Sequence, residues 1–153
     1  MGQTAAMEKI RTFVAIELPE EVKEKIFEVQ NSLRQERADV TWVRREGMHL
    51  TLKFLGDVEV GTIDAVAAAV TAACRGTKEL AISVEKVGGF PNLRRPRVLW
   101  VGMEEPTGEL QRLQAKIETE LASLGFEKEK RKFSPHLTIG RVKSPSGIDA
   151  GVK

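Results

Sequence analysis

The chain has 153 residues, of which 41% are hydrophobic and 30% are charged, with a formal net charge of +2. This length and composition are typical of one globular domain with its own core, and they argue against intrinsic disorder. The single cysteine and two histidines exclude an intramolecular disulfide, a cysteine-rich zinc site and a three-histidine metal centre. No apolar run of about 20 residues and no signal segment is present, so we expect a cytoplasmic protein that does not enter a membrane.

The predicted order of elements is strand, helix, strand, helix, strand, strand, helix, strand. Apolar and β-branched runs predict five strands, and side chains that recur at three- and four-residue spacings predict three helices. The strands are expected at residues 12–18, 40–55, 80–87, 97–103 and 132–142. The helices are expected from Pro19 onward, over residues 63–74, and from Pro106 to Gly125.

Four residues within or beside these elements are interpreted individually. Cys74 falls on the apolar stripe of the second helix, which favours a core residue over a nucleophile. Trp42 and Trp100 are also expected in the core. Phe90 follows two glycines. It is either the anchor of a buried loop, which we favour, or a surface on which a base stacks.

The order of elements contains a repeat of a strand, a helix and a second strand. One copy spans residues 11–56 and the other spans residues 97–143. Two such copies favour an α+β fold with two pseudo-symmetric lobes, each an antiparallel sheet flanked by helices, and a catalytic cleft between them. We therefore expect one two-lobed domain over residues 11–143, with flexible tails at residues 1–10 and 144–153.

The only two histidines open the same short motif, which reads HLTL from His49 and HLTI from His136. Because side chains alternate along a strand, Thr51 is predicted on the same face as His49, and Thr138 on the same face as His136. The apolar residues between them then point into the core. Each motif therefore presents an imidazole and a hydroxyl together on a rigid strand.

Two imidazoles on opposite sides of one phosphorus atom suit an in-line displacement. Histidine gives or takes a proton at neutral pH, so one ring accepts a proton from water while the other donates to the departing oxygen. The threonine hydroxyls hold the non-bridging oxygens. This chemistry needs no metal and no cofactor, and it suits a strained diester such as a ribose 2′,3′-cyclic phosphate. One motif alone is more often structural, but the matched pair uses every histidine and favours catalysis.

Five segments occur in a fixed order from about Arg11 to Val142: FVAIELPEEV, TWVRREGMHLTLKFLG, a Gly-Phe-Pro turn, RPRVLW and FSPHLTIGR. Together they resemble the bacterial and archaeal RNA 2′,3′-cyclic phosphodiesterases, within the two-histidine phosphoesterase superfamily. The resemblance implies a bilobal α+β fold with a central cleft, and opening of a terminal cyclic phosphate to a 2′-phosphate. It implies that His49 is the proton donor to the leaving 3′ oxygen and that His136 is the acceptor that activates water.

The same resemblance implies substrate-binding roles for three further residues. Thr51 and Thr138 match the threonines of the motifs and are taken as phosphate-binding. Arg141 stands where the family commonly has arginine, although simple alternation turns it away from the cleft. A bulge at Gly140 would re-aim it. A phosphate contact and a structural salt bridge are equally open for Arg141.

Two clusters of basic residues allow two interpretations. The clusters are either solvated surface or an anion-facing surface for RNA phosphates. They consist of Arg94, Arg95 and Arg97, and of Lys128, Lys130, Arg131 and Lys132.

The motifs also leave alternative activities open. These are 2′-5′ RNA ligation, hydrolysis of 2′-5′ oligonucleotides or of small cyclic nucleotides, and binding of RNA ends without turnover. Nothing in the sequence requires more than a monomer.

Overall fold

The structure is a computed structural model that describes residues 8–37 and 39–143. It contains, in chain order, β1 (Lys9–Glu17), α1 (Glu20–Arg34), β2 (Val40–Trp42), β3 (His49–Glu59), α2 (Ile63–Cys74), β4 (Ser83–Phe90), β5 (Val98–Glu104), α3 (Glu109–Ala122) and β6 (His136–Val142). The predicted tails lie outside the described residues at 1–7 and 144–153, whereas Lys9 already belongs to β1.

The α+β class is confirmed, with two antiparallel sheets. Strands β1 and β3 form a two-stranded sheet, and the four-stranded sheet has the order β2–β6–β5–β4. Several predicted bounds shift. The last strand begins at His136 rather than at residue 132, and β4 continues past its predicted end at residue 87, through Gly88 and Gly89 to Phe90.

The chain divides into two compact units, each assembled from separate segments. One unit contains β1 as far as Ile16, residues Thr51–Ala81 and residues Glu105–Phe133, and therefore holds α2 and α3. The other unit contains residues Glu17–Leu50, residues Ile82–Glu104 and the chain from Ser134, and therefore holds α1 and the four-stranded sheet.

Helix α1 packs against the four-stranded sheet in the second unit. The fully buried side chain of Ile26 lies on its apolar face, as the helical spacing predicts. The buried Gln30 amide donates to the carbonyl oxygens of Val43 and Ile139, at 2.9 and 3.0 Å. These bonds satisfy a polar group inside the core and fix α1 to β6. The apolar side chains of β5 and β6 that are buried in this unit are Leu99, Val101, Met103, Leu137 and Ile139.

In the other unit, strand β3 departs from the predicted alternation at Lys53. Lys53 is only 8% exposed and Phe54 is 54% exposed, the reverse of the expected pattern. The buried ammonium is compensated, because Lys53 Nζ donates to the Glu118 carboxylate at 2.7 Å and to the carbonyl oxygen of Glu127 at 2.8 Å. Phe54 faces outward, where the guanidinium of Arg11 lies 4.9 Å from the centre of its ring.

Helix α3 begins at Glu109, three residues later than Pro106, with Gly108 as its N-cap. Gly108 has a φ of +86°, a conformation that glycine adopts without steric cost. Glu105 supplies the cap by accepting hydrogen bonds from the backbone N–H of Leu110, at 3.0 Å, and from the hydroxyl and backbone N–H of Thr107. The Thr107 hydroxyl bond, followed by the Leu110 bond, lowers the pKa of the Glu105 carboxyl.

The prediction that Cys74 is a core residue is wrong. Its side chain is exposed at the last position of α2. The buried residues of this helix are Val66 and Ala73, seven positions apart. Cys74 follows Ala73 by one residue, and successive helical residues point about 100° apart, so it turns away from the buried stripe.

Candidate active site

One face of the four-stranded sheet brings together several of the predicted site residues. Residues that pair across strands share a face of the sheet. His136 pairs with Gly102 of β5, and two residues further along β6, Thr138 pairs with Trp100. Both pairs therefore present their side chains on the same side, opposite the buried Leu137 and the core.

This face forms the wall of an open cavity of about 750 Å³. Its lining is mixed in character, with titratable, hydroxyl and aromatic groups. It includes Lys86, Phe90, Trp100, Glu104, His136 and Thr138. The cavity combines a proton-transfer group with hydrogen-bonding and stacking surfaces, as binding sites for small polar ligands commonly do.

The ring of His136 has a defined orientation at the edge of the cavity. Its Nδ1 lies 2.7 Å from the carbonyl oxygen of Ser134, and a carbonyl only accepts hydrogen bonds, so Nδ1 carries a hydrogen. In the neutral ring the lone pair is then on Nε2. This is the tautomer that a proton acceptor requires. The strand beneath is held by the bond from the Met103 N–H to the Pro135 carbonyl, at 3.0 Å.

Trp100 was predicted in the core, and this prediction is wrong. The indole is half-buried and lines the cavity, with its ring centre 6.2 Å from that of His136 and the two planes at 66°. It lies over Gly88, since a Cβ added at that position would come within 2.1 Å of the indole Cζ2. The glycine in β4 therefore provides the space for the tryptophan. The glycines before Phe90 are the sequence signal for this arrangement, but the strand predicted over residues 80–87 ends before them.

Trp42 was also predicted in the core, and the structure leaves it half-buried. It pairs with Gly140 on the opposite face from the cavity, and the guanidinium of Arg34 lies 5.4 Å from its ring centre. The Arg34 side chain thus covers part of the indole, while its guanidinium stays exposed to solvent.

Arg141 reaches the cavity face through a bulge in β6. Trp100 pairs with Thr138, but the preceding Leu99 pairs with Gly140, so Ile139 has no partner in β5. The extra residue shifts the alternation, and Arg141 pairs with Val98, a lining residue of the cavity. Its side chain is exposed and makes no ion pair among the described residues, so the salt-bridge alternative has no support there.

Gly140 follows the bulge and packs closely against β2. A Cβ added to it would come within 2.7 Å of Val40 Cγ1 and 3.0 Å of Trp42 Cε3 on the neighbouring strand. A side chain at this position would displace the Val40 and Trp42 side chains that pack against it, so this close approach favours a glycine.

Phe90 is 66% exposed at the last position of β4, and the prediction of a buried loop anchor is therefore wrong. Its carbonyl accepts a hydrogen bond from the Arg97 N–H, which closes the β4–β5 connection. The ring itself lines the cavity. The alternative interpretation, a surface for base stacking, is the one that its exposure favours.

The first motif lies on β3, a strand of the two-stranded sheet rather than of the sheet that carries His136. His49 is half-buried at the first position of β3, between the buried Met48 and Leu50, and Thr51 is exposed, as the alternation predicts. His49 belongs to the same compact unit as His136. Thr51 falls in the other unit, whose boundary follows Leu50.

The turn that leads into His49 is anchored to α1. Arg45 lies in a short 3-10 helix, and its guanidinium forms ion pairs with Glu20 and Glu24, both at 3.1 Å. The hydrogen bond to Glu24, followed by that to Glu20, raises the pKa of Arg45. These exposed pairs contribute little stability individually. They connect the turn before β3 to the first turns of α1.

Neither a metal cluster nor a membrane span occurs in the described part of the chain. Within residues 8–37 and 39–143, no group of three or more His, Cys, Asp or Glu side chains is arranged to hold a metal ion. Over the same ranges, no helix is both long and apolar enough to cross a membrane.

Comparisons with known proteins identify the family of the chain. The chain matches the model of LigT-like phosphoesterases over residues 16–100 and 101–152. It therefore belongs to the LigT-like phosphoesterase family, as the sequence resemblance predicts.

Two curated relatives are named RNA 2′,3′-cyclic phosphodiesterase. The protein of Methanothermobacter thermautotrophicus is 38% identical over 141 residues, which cover 92% of this chain and 76% of the relative. That of Thermotoga maritima is 41% identical over 134 residues, which cover 88% of this chain and 71% of the relative.

Solved structures of similar proteins support the fold. The protein TT0787 of Thermus thermophilus superposes with a TM-score of 0.71 at 30% identity, over 89% of this chain and 76% of that one. Escherichia coli LigT complexed with 3′-AMP superposes with a TM-score of 0.66 at 30% identity, over 88% and 74% of the two chains.

Proposed function

We propose that this chain opens the terminal 2′,3′-cyclic phosphate of RNA to a 2′-phosphate. The observation that carries the proposal is the geometry of the second motif. His136 is oriented by the Ser134 carbonyl with its Nε2 available to accept a proton, and Thr138 shares its face of the sheet. The names of the relatives supply the substrate class, because they share 38% and 41% of their residues with this chain over most of its length.

The proposed reaction is an in-line attack by water. Nε2 of His136 takes a proton from water as the new P–O bond forms, and the bond from phosphorus to the 3′ oxygen breaks. His49 donates a proton to that leaving oxygen, so the phosphate stays on the 2′ oxygen. Thr51, Thr138 and Arg141 hold the non-bridging oxygens, whose charge increases in the transition state. Both proton transfers are made by side chains of this chain.

The proposal includes two expectations about the working form of the enzyme. A monomer suffices, because all five residues assigned to the site belong to one chain. A cytoplasmic location follows from the low cysteine content, which leaves no disulfide for an oxidising compartment to maintain.

A substrate panel tests the proposal against its alternatives. The purified protein is incubated, with a chelator present, with RNA ending in a 2′,3′-cyclic phosphate, with a 2′-5′-linked oligonucleotide, and with a nucleoside 2′,3′-cyclic phosphate. We expect the highest kcat/KM for the cyclic-phosphate RNA. A higher kcat/KM for either other substrate would redirect the assignment within the family, and RNA binding without product would support a binding module instead.

A further inference from the structure

Lys86 lies in the same cross-strand row as His136. It pairs with Gly102 of β5, and Gly102 pairs in turn with His136 of β6. Because residues that pair across strands share a face of the sheet, all three lie on the cavity face, and all three line the cavity. Among the described residues that line this cavity, Lys86 is the only lysine or arginine.

The side chain of Lys86 extends across β5 toward His136. A Cβ added to Gly102 would come within 3.0 Å of Lys86 Cγ and 3.4 Å of Lys86 Cε, so the lysine stem lies over the glycine. Neighbouring strands are about 4.8 Å apart, which places the Cα atoms of Lys86 and His136 about 10 Å apart. Because Cε already lies above β5, only about one strand spacing separates it from the strand that carries His136. A ligand group bound at His136 is therefore within reach of Lys86 Nζ.

The indole of Trp100 lies beside the same lysine stem. Its Cζ3 would be 3.5 Å from a Cβ added to Gly102, so the indole and the stem of Lys86 share the surface above this glycine. The ring centre of Trp100 is also 6.2 Å from that of His136. The indole therefore restricts the rotamers open to Lys86, which reduces the entropy that the lysine loses when it binds an anion.

The ammonium of Lys86 has no charged partner within this chain. Among the described residues it makes neither an ion pair nor a side-chain hydrogen bond. Two carboxylates, those of Glu85 and Glu104, line the same cavity, and that of Glu85 accepts a hydrogen bond from the Ser83 hydroxyl at 2.8 Å. These carboxylates repel a phosphate bound beside His136, and the Lys86 ammonium offsets that repulsion.

We infer that Lys86 is a further catalytic residue, whose ammonium binds a non-bridging oxygen of the phosphate held at His136. This inference rests on the proposed function and deepens it. A cyclic phosphodiester carries one negative charge, and the attack of water, with its proton transferred to His136, adds a second one. The ammonium therefore stabilises the transition state, and the 2′-phosphate product that follows, more than it stabilises the substrate.

The first test is the steady-state kinetics of Lys86→Met with RNA ending in a 2′,3′-cyclic phosphate. Methionine keeps most of the apolar stem that lies over Gly102 and removes the charge. We expect kcat/KM to fall by about 10–150-fold, the range for loss of one hydrogen bond to a charged group. The fall in kcat should exceed the rise in KM, because the second negative charge forms only as the substrate reacts.

The second test measures phosphate binding without turnover. Isothermal titration calorimetry gives the Kd of cytidine 2′-phosphate, and we expect this Kd to rise about tenfold or more in Lys86→Met. Lys86→Arg keeps the positive charge and should lie closer to the wild type than Lys86→Met in both tests. Lys25→Met is the matched control, because Lys25 is an exposed lysine of α1 that does not line the cavity. Its kcat/KM and Kd should equal those of the wild type.

The inference is overturned if Lys86→Met keeps the kcat/KM of the wild type, or if Lys86→Arg or Lys25→Met loses as much as Lys86→Met. Should the wild type turn over no cyclic phosphate, the proposed function fails and the calorimetry alone decides on Lys86. Weaker binding of cytidine 2′-phosphate by Lys86→Met would then support a phosphate site at this lysine. Unchanged binding, or no binding by the wild type, would reject it.

Discussion

Arg141 shows how one extra residue in a strand changes what a side chain contacts. Because of the bulge at Ile139 it lies on the cavity face with Thr138, exposed and without an ion pair among the described residues. In the proposed function this planar guanidinium binds two phosphate oxygens of the substrate at once. Loss of a hydrogen bond to a charged group costs about 1.5–3 kcal/mol, which corresponds to about 10–150-fold in kcat/KM.

We therefore expect Arg141→Gln to lower kcat/KM for cyclic-phosphate RNA by about 10–150-fold, from the same hydrogen-bond energies. Steady-state kinetics at a fixed salt concentration measures kcat/KM for the variant and the wild type. Arg112→Gln is the matched control, because Arg112 lies on α3 and pairs with Glu109. A reduction of less than about twofold in R141Q would show that this guanidinium does not contact the phosphate.

Single residues were predictable where strand alternation decides their environment. The burial of Leu50 and Leu137, and the exposure of Thr51, follow directly from the period of two in a strand. Trp100 was not predictable in this way, because hydrophobicity favours burial and the sequence does not show that Gly88 lies beside it. Only the pairing of β4 with β5 places the two together.

At the scale of elements, the start of α3 depends on the charge of Glu105. The pKa of this carboxyl is lowered in the folded protein, mainly by the hydrogen bond from the Thr107 hydroxyl and then by that from the Leu110 N–H. A lowered folded-state pKa means that the stabilisation is fully present above the unfolded-state pKa of about 4.3. It is lost as the pH falls through the lower folded-state value.

We predict that Glu105→Gln has a lower free energy of unfolding than the wild type at pH 7, and that the difference disappears as the pH falls well below about 4. Urea denaturation at a series of pH values measures the free energy of unfolding of the wild type and of Glu105→Gln. Glu79→Gln serves as the control, because it also removes one exposed carboxylate. A difference between Glu105→Gln and the wild type that stays constant from pH 7 to low pH would contradict the capping role of the carboxylate.

The buried pair of Lys53 and Glu118 connects β3 to α3. Glu118 also accepts hydrogen bonds from the Gln114 side chain and from the Glu129 N–H, at 3.0 and 3.2 Å. Removal of one partner leaves an uncompensated charge, so Glu118→Leu should lower the free energy of unfolding by about 3–5 kcal/mol. The double variant with Lys53→Met should be more stable than Glu118→Leu alone. Chemical denaturation measures the free energy of unfolding of the wild type, Glu118→Leu and the double variant. A double variant less stable than Glu118→Leu would contradict this explanation.

The existence of the three helices was predictable from their apolar periodicity, but their ends and partners were less so. The burial of Lys53 depends on Glu118, which is 65 positions away in sequence. Local patterns contain no information about such a partner, so simple alternation from Leu50 and Leu52 places Phe54 inside, whereas the structure exposes it. The late start of α3 has a similar cause, because the capping carboxylate lies outside the helix that it stabilises.

At the scale of the whole molecule, each of the two compact units is composed of segments that are separated in the sequence. Helix α1 follows β1 but belongs with the four-stranded sheet, and α3 follows β5 but belongs with the unit that holds most of β3. Each unit therefore depends on chain from several places in the sequence. The repeat of strand, helix and strand is visible in the sequence, whereas the unit to which each helix belongs is determined by tertiary packing.

The central claim is that two histidines carry the two proton transfers on one phosphate. ³¹P NMR of RNA ending in a 2′,3′-cyclic phosphate tests it most directly, by identifying the product isomer formed by the wild type, His49→Ala and His136→Ala. We predict a 2′-phosphate from the wild type and a rate at least about 100-fold lower in each variant, the lower limit of one positioned proton transfer. A 3′-phosphate product, or either variant within a few-fold of the wild type, would contradict the claim.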